Sequence, residues 1–275
     1  MSDKLQYDLV AGFGPVCSCS QTLRRAGLQH LSFPFDWIAP TFGQPGWDHD
    51  VRHRANVLAR GFGDWLHIED FEFHGNHTNG MAKYWNTKLQ LMFLHDFPAG
   101  VPLAESFPSV VAKYARREKR LLELIGRSSR VLIVRLDRPD LDYRTPLEDC
   151  RYARELLSKR FAPTAFDLLL VQPDPGVPPE KASLETLEPG IFRLAFAYRD
   201  MRPGADAAIP HLGLTSAVVS RFFSVRDYRT KEEIAAHHQK ERQKRWAKYD
   251  ASNVWQYLWR KFLSHFRKNA SRASS

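Results

Sequence analysis

Three cysteines in 275 residues is a small and odd number, and it excludes a disulfide framework as the source of stability. The chain also lacks any run approaching the ~20 apolar residues that a bilayer span requires. Its first residues, Met-Ser-Asp-Lys-Leu-Gln-Tyr-Asp, have no basic stretch followed by an apolar one, so no secretory leader is expected. The reading is a soluble protein of a reducing, cytoplasmic setting. No glycine-rich phosphate loop ends in a lysine, and Gly12-Phe-Gly14 runs into Pro15 without the remaining fingerprint glycine. Nucleotide hydrolysis and nicotinamide binding therefore have no support. Cys17-Ser-Cys19 has no second ligand pair downstream, and His67, His74 and His77 are loosely spaced. Neither a metal nor a bound cofactor is expected.

What the chain does have is enough apolar content, 43%, for one large α/β domain or two smaller ones. The formal net charge of +9 is unevenly placed. Residues 238–273 hold ten Lys or Arg against Glu241 and Asp250, which accounts for +8 of it. The body is close to neutral, so basicity describes a C-terminal element and says little about the main site.

Residues 7–28 read as a strand, a glycine turn and a helix. Leu9 and Val10 are apolar, Gly12 and Gly14 supply a tight turn, Pro15 suits a helix entry and Gly27 closes the helix. Residues 31–38 form a compact aromatic segment that Pro34 keeps from being helical, with one carboxylate, Asp36. Residues 41–50 read as a loop and 51–60 as a short helix. Residues 65–73 read as a strand with some helical character, 74–80 as a polar loop and 88–97 as a strand ending on His95 and Asp96. Helical spacing marks 110–125, residues 147–161 read as another helix, and buried apolar runs mark strands at 130–136 and 166–172. Residues 174–189 read as a Pro-rich loop before a strand at 191–198. Alternation of strand and helix predicts a mostly parallel sheet flanked by helices.

In open α/β sheets ligands bind outside the carboxyl ends of the strands. Cys17, His95 with Asp96, Arg135 with Asp137, and Gln172 all fall at or just past the ends of the expected strands. Cys17 also sits near a helix N-terminus, where unpaired N–H groups favour a thiolate. A cysteine so placed, a histidine to take its proton and a carboxylate to orient the imidazole are the parts of thiol acyl transfer. Asp96 neighbours His95 on a strand and should face the other way. Asp137, Asp36 or Asp200 is the better orienter. Gly14, Ser18, Asp36, Trp37, Asp96, Arg135 and Gln172 are candidates for supporting or substrate-binding roles. Each also has a plain structural reading: a small buried thiol, a satisfied imidazole, half of a salt bridge.

Gly14-Pro-Val-Cys17, Leu23-Arg-Arg-Ala-Gly-Leu28, Ser32-Phe-Pro-Phe-Asp-Trp-Ile38, His95-Asp-Phe97, Lys113-Tyr-Ala-Arg-Arg117 and Val131-Leu-Ile-Val-Arg135 together resemble the bacterial family of uncharacterised proteins labelled papain-like cysteine peptidases. The resemblance covers about the first half of the chain. It implies Cys17 as nucleophile and His95 as base, and offers a papain-like arrangement as the alternative fold. A more distant likeness to proteins encoded with surface-polysaccharide genes implies an acyltransferase, with acyl-coenzyme A as co-substrate. Small-molecule, glycan and peptide substrates all stay open.

The expected division is an α/β domain over 1–228 and a basic amphipathic helical extension over 229–275. Positions 255, 258, 259, 262 and 266 make one apolar, Trp-rich stripe with Arg260, Lys261, Arg267 and Lys268 on or beyond its edge. Such a helix can dock on the domain or lie on an anionic membrane surface, which would make the protein peripheral at the inner membrane, within residues 231–268. Nucleic-acid binding is the weaker expectation, since charge without a reading motif gives only salt-sensitive affinity.

Overall fold

The computed structural model describes residues 4–40, 49–63, 65–77, 80–141, 143–199, 210–226 and 239. Chain contacts divide it into two units, Met1–Arg226 and Asp227–Ser275. All but one of the described residues belong to the first, and apart from residue 239 the expected amphipathic extension lies outside them.

In chain order the elements are β1 (Leu5–Tyr7), β2 (Leu9–Gly12), α1 (Cys17–Arg25), β3 (Ile38–Pro40), α2 (Asp50–Ala59), β4 (Phe71–Asn76), β5 (Met81–Asn86), β6 (Leu91–Pro98) and α3 (Leu103–Arg127). There follow β7 (Arg130–Leu136), α4 (Leu147–Arg160), β8 (Ala165–Pro173), β9 (Leu184–Glu188), β10 (Ile191–Phe196), α5 (Leu212–Phe222) and β11 (Phe223–Val225). Three sheets result: a five-stranded one in the order β2-β7-β8-β10-β9, an antiparallel four-stranded one in the order β3-β6-β5-β4, and the pair β1-β11. In the first, β2, β7, β8 and β10 run parallel and only β9 opposes its neighbour.

The two-residue period of the strands sorts the core. Leu9, Ala11, Val131, Ile133, Phe166, Leu168 and Leu170 face one apolar cluster, with Tyr114, Leu121 and Ile125 of α3 and Ala153 and Leu157 of α4. Val10, Leu132, Val134, Leu169 and Val171 face the other, with Leu23 of α1 and Val218 and Val219 of α5. Burial on both faces is why β7 and β8 read as continuous apolar runs. The antiparallel sheet joins the first cluster through a file of rings, with Phe93 edge-on to Tyr114 at 5.6 Å between centroids and Trp65 edge-on to Tyr114 at 5.3 Å.

The α/β expectation with a mostly parallel sheet holds for the five-stranded sheet. The antiparallel sheet was not expected, and four readings change. Residues 65–73 are not one strand: a short 3-10 turn at Ile68–Asp70 precedes β4, which runs on through 74–76 of the expected loop. Unread β5 supplies the partner both β4 and β6 need. The Pro-rich loop at 174–189 contains β9, held by its hairpin pairing to β10. Pro34 does not forbid helix but opens a 3-10 turn, Pro34–Trp37, a position where its missing N–H costs nothing. Among the described residues no helix is long and apolar enough to cross a membrane.

Candidate functional site

The opening unit forms as expected. Phe13 N–H donates to Val134 O at 2.8 Å, and Leu136 N–H to Gly14 O at 3.1 Å, so the turn after β2 is stitched to the end of β7. Gly14 holds φ +85°, a left-handed conformation open to glycine at little cost. Helix α1 then starts at Cys17 and closes at Gly27, where Gly27 N–H reaches Arg24 O and Leu28 N–H reaches Leu23 O, the paired bonds of a glycine C-cap.

Cys17, at the first position of α1, is the partly exposed member of the three free cysteines; Cys19 and Cys150 are buried. Its thiol lies beside its own N–H and that of Ser18, which favour the anion, but burial outweighs them and raises its pKa above the ordinary thiol value. The resting group is a neutral thiol at pH 7. Cys19 is a packing residue: its sulfur donates to Val134 O at 3.4 Å, a Cβ on Gly12 would come within 3.1 Å of it, and burial pushes its pKa to about 12.

Beneath this turn lies a buried cluster of charge. Arg135, at the end of β7, donates through Nη1 to Phe13 O at 3.0 Å and to Asp50, and through Nε to Thr145 Oγ1 at 3.1 Å and Asp137 Oδ1 at 3.4 Å. Arg54 donates to the other oxygen of Asp50 at 2.8 Å and to the carbonyls of Phe35 and Ile38. Asp137 accepts from Thr145 N–H at 2.9 Å, the Thr145 hydroxyl at 2.6 Å and Gln172 Nε2 at 3.0 Å, while Tyr198 donates its hydroxyl to Asp137 O at 2.6 Å. Two guanidinium groups and two carboxylates thus neutralise one another at 3% exposure or less, and their bonds fix the turn that carries Cys17. A Cβ on Gly14 would sit 3.1 Å from Arg54 Nη2 and 3.4 Å from Arg135 Nη1. Gly14→Ala is therefore expected to destabilise the fold by about 1–3 kcal/mol, read as a lower urea midpoint with an unchanged slope.

The structure brings Gly14, Arg135, Asp137 and Gln172 together at the carboxyl edge of the parallel sheet, with Cys17 and Ser18 just above. His95 does not join them. It lies in β6, on the antiparallel sheet, where a bulge opposite residues 82–84 of β5 interrupts the register. Its ring meets Trp37 edge-on at 5.7 Å and neighbours His77 at 5.9 Å. Burial lowers its pKa, so the imidazole is neutral at pH 7. No hydrogen bond between Cys17 and His95 is found among the described residues, and neither is among the groups that shift the other's pKa. The link between them is indirect: Trp37 carries the Arg24 guanidinium over its ring at 5.7 Å. Arg24 lies on the Cys17 face of α1, seven residues and ~10 Å along it.

Asp137 does not orient His95, because its oxygens are engaged by Thr145, Gln172 and Arg135. Asp96 faces away from His95, as strand alternation predicts, and meets Lys113 and the Tyr114 hydroxyl of α3. Asp36 also leaves the chemistry. Its carboxylate accepts from Phe33 N–H, Gln29 and Arg24, each at about 2.9 Å, and so closes the 32–37 turn. Asp200 lies outside the described residues.

Sequence reasoning missed Asp50 and Arg54. The signal was there: they sit four apart among Val51, Ala55 and Leu58 on the buried stripe of α2, and a charge on an apolar stripe needs a buried partner. Among the described residues no three His, Cys, Asp or Glu side chains gather as metal ligands. No protein-family model, curated protein or solved structure matches the chain.

Proposed function

We propose that the protein is a thiol-dependent hydrolase or acyltransferase with Cys17 as nucleophile. The observation that carries this reading is the placement of a partly exposed thiol at the first position of α1, above the carboxyl edge of a parallel sheet, where open α/β folds bind ligands. Cys17 sulfur attacks a carbonyl carbon, and N–H groups at the start of α1 receive the oxyanion. The neutral imidazole of His95 takes the thiol proton through an intervening water or substrate group, since the two side chains share no hydrogen bond, and returns it to the leaving group. Water or an acyl acceptor then releases the acyl chain. Peptide, ester, thioester and acyl-coenzyme A carbonyls all stay open as substrates, since the fold does not choose among them.

A second reading, a binding protein in which Cys17 only packs, is favoured by the raised thiol pKa and the separation of His95. Intact-mass analysis after exposure to a peptide thioester, an activated ester and acetyl-coenzyme A separates the two. An adduct mapping to Cys17 and discharging with time supports the enzyme. In parallel, iodoacetamide should alkylate Cys17 slowly at neutral pH and faster as pH rises past the ordinary thiol value of ~8.5, because a raised pKa leaves little thiolate below it. A thiol that takes no acyl group and stays protected from alkylation at every pH would leave only the binding protein.

A further inference from the structure

None of Asp137, Asp96 and Asp36 orients His95, and the titratable group that stands against its ring is a second imidazole. His77 follows β4, where its N–H donates to Met81 O at 2.7 Å and its carbonyl accepts from Gly80 N–H at 3.2 Å. Strands β4 and β6 are not neighbours, since β5 runs between them, and two steps of ~4.8 Å would hold them about 10 Å apart. The rings of His77 and His95 nevertheless lie 5.9 Å apart between centroids, tilted at 51°.

Two breaks in register face the same residue of β5. Phe73 pairs with Tyr84 and Asn76 with Ala82, so residues 74–75 of β4 stand opposite Lys83. Phe93 pairs with Tyr84 and Phe97 with Ala82, so residues 94–96 of β6 stand opposite Lys83 from the other side. Extra residues of this kind bend a strand and re-aim its side chains, and within the first break Gly75 takes φ +96°. The outcome is a file of three partly buried rings, Trp37, His95 and His77.

Burial is the largest influence on the His95 imidazole and lowers its pKa; Asp96 of β6 opposes this, while His77 and Lys113 of α3 add to it. Lys113 and Asp96 are paired with each other, and Arg24, over the Trp37 ring, is paired with Asp36. That leaves His77 as the neighbour whose charge changes near neutral pH. Two imidazoles this close accept one proton more readily than two, because the second brings like charges together. A carboxylate beside an imidazole favours its charged form, whereas a second imidazole favours the neutral form in which a base must wait.

We infer that His77 is the positioning residue for His95, standing where a triad would have a carboxylate and keeping His95 neutral and ready to accept a proton. The inference rests on the reading of His95 as the base for Cys17.

Deuterium exchange at the imidazole Cε1, followed by mass spectrometry of the full chain across pH, reads the midpoint of His95 without substrate. In the parent it should lie below the ordinary imidazole value of ~6.5. His77→Gln should raise it, and His77→Asp should raise it further, because an anion at that place favours imidazolium. Both variants keep the backbone bonds of residue 77, and an unchanged Tm shows that folded chains are being compared. His74→Gln, on the exposed stretch of β4, should leave the midpoint where it is. A midpoint unmoved by His77→Gln and by His77→Asp would overturn the proposal. So would an equal rise with His74→Gln, which would mean repulsion by the positive charge of the whole chain. Failure of Cys17 to take an acyl group would fall on the nucleophile reading and leave this titration standing, while an unmoved midpoint would fall on the histidine pair alone.

Discussion

Asp50→Ala is expected to lower the stability of the fold by about 3–5 kcal/mol, the cost of removing one partner from a buried ion pair. Asp50 is 1% exposed and gives one oxygen to Arg54 and the other to Arg135. Its loss leaves Arg54 with no carboxylate partner and Arg135 with Asp137 alone. Arg135 would then be held on one side only, and with it the carbonyl of Phe13 and the turn that positions Cys17. The expected observation is a fall in Tm of roughly 10 °C or more. Replacing Asp50 by Leu together with Arg54 by Met should cost less than the two single changes combined, since the pair is removed with its desolvation cost. An Asp50→Ala protein within about 1 kcal/mol of the parent would show that water, and not the carboxylate, satisfies the arginines.

Cys17→Ala is expected to reduce turnover of any true acyl substrate by about three orders of magnitude or more, as removal of a covalent nucleophile does. Stability should hardly change, because the thiol donates to no described residue and is partly exposed; a shift within about 1 kcal/mol is expected. Cys17→Ser should fold equally well and stay nearly inactive, since a hydroxyl without an adjacent base is a far weaker nucleophile. In the parent, activity should rise with pH from neutrality toward the raised thiol pKa, because only the thiolate attacks. Full turnover by Cys17→Ala would remove the residue from the chemistry and leave the binding reading.

Much of this arrangement is legible in local chemistry. The β2–turn–α1 unit follows from Gly14 and Gly27, which take left-handed φ at the turn and at the helix end, and from Gly12, whose missing Cβ leaves room for the Cys19 sulfur. Helices α2, α3 and α4 follow from apolar spacing, and β7 and β8 from unbroken apolar runs, which only a sheet covered on both faces accommodates. The opposed directions of His95 and Asp96 follow from the strand period.

The rest depended on partners distant in the chain. Residues 81–86 and 184–188 carry weak strand signals and become β5 and β9 because β6 and β10 present unpaired backbone edges to them. Asp137 and His95 both ended apolar runs and looked equivalent, yet β7 ends on the parallel sheet and β6 lies on the antiparallel one, so only Asp137 reaches the edge near Cys17. By itself the sequence determined which residues must be buried and which turns must bend, since both depend on side-chain polarity and backbone freedom within a few residues. Which strands lie side by side, and hence which polar groups meet, was decided only in the tertiary structure. Backbone hydrogen bonds between strands are the same whatever the side chains, and the choice among pairings is made by the whole core at once.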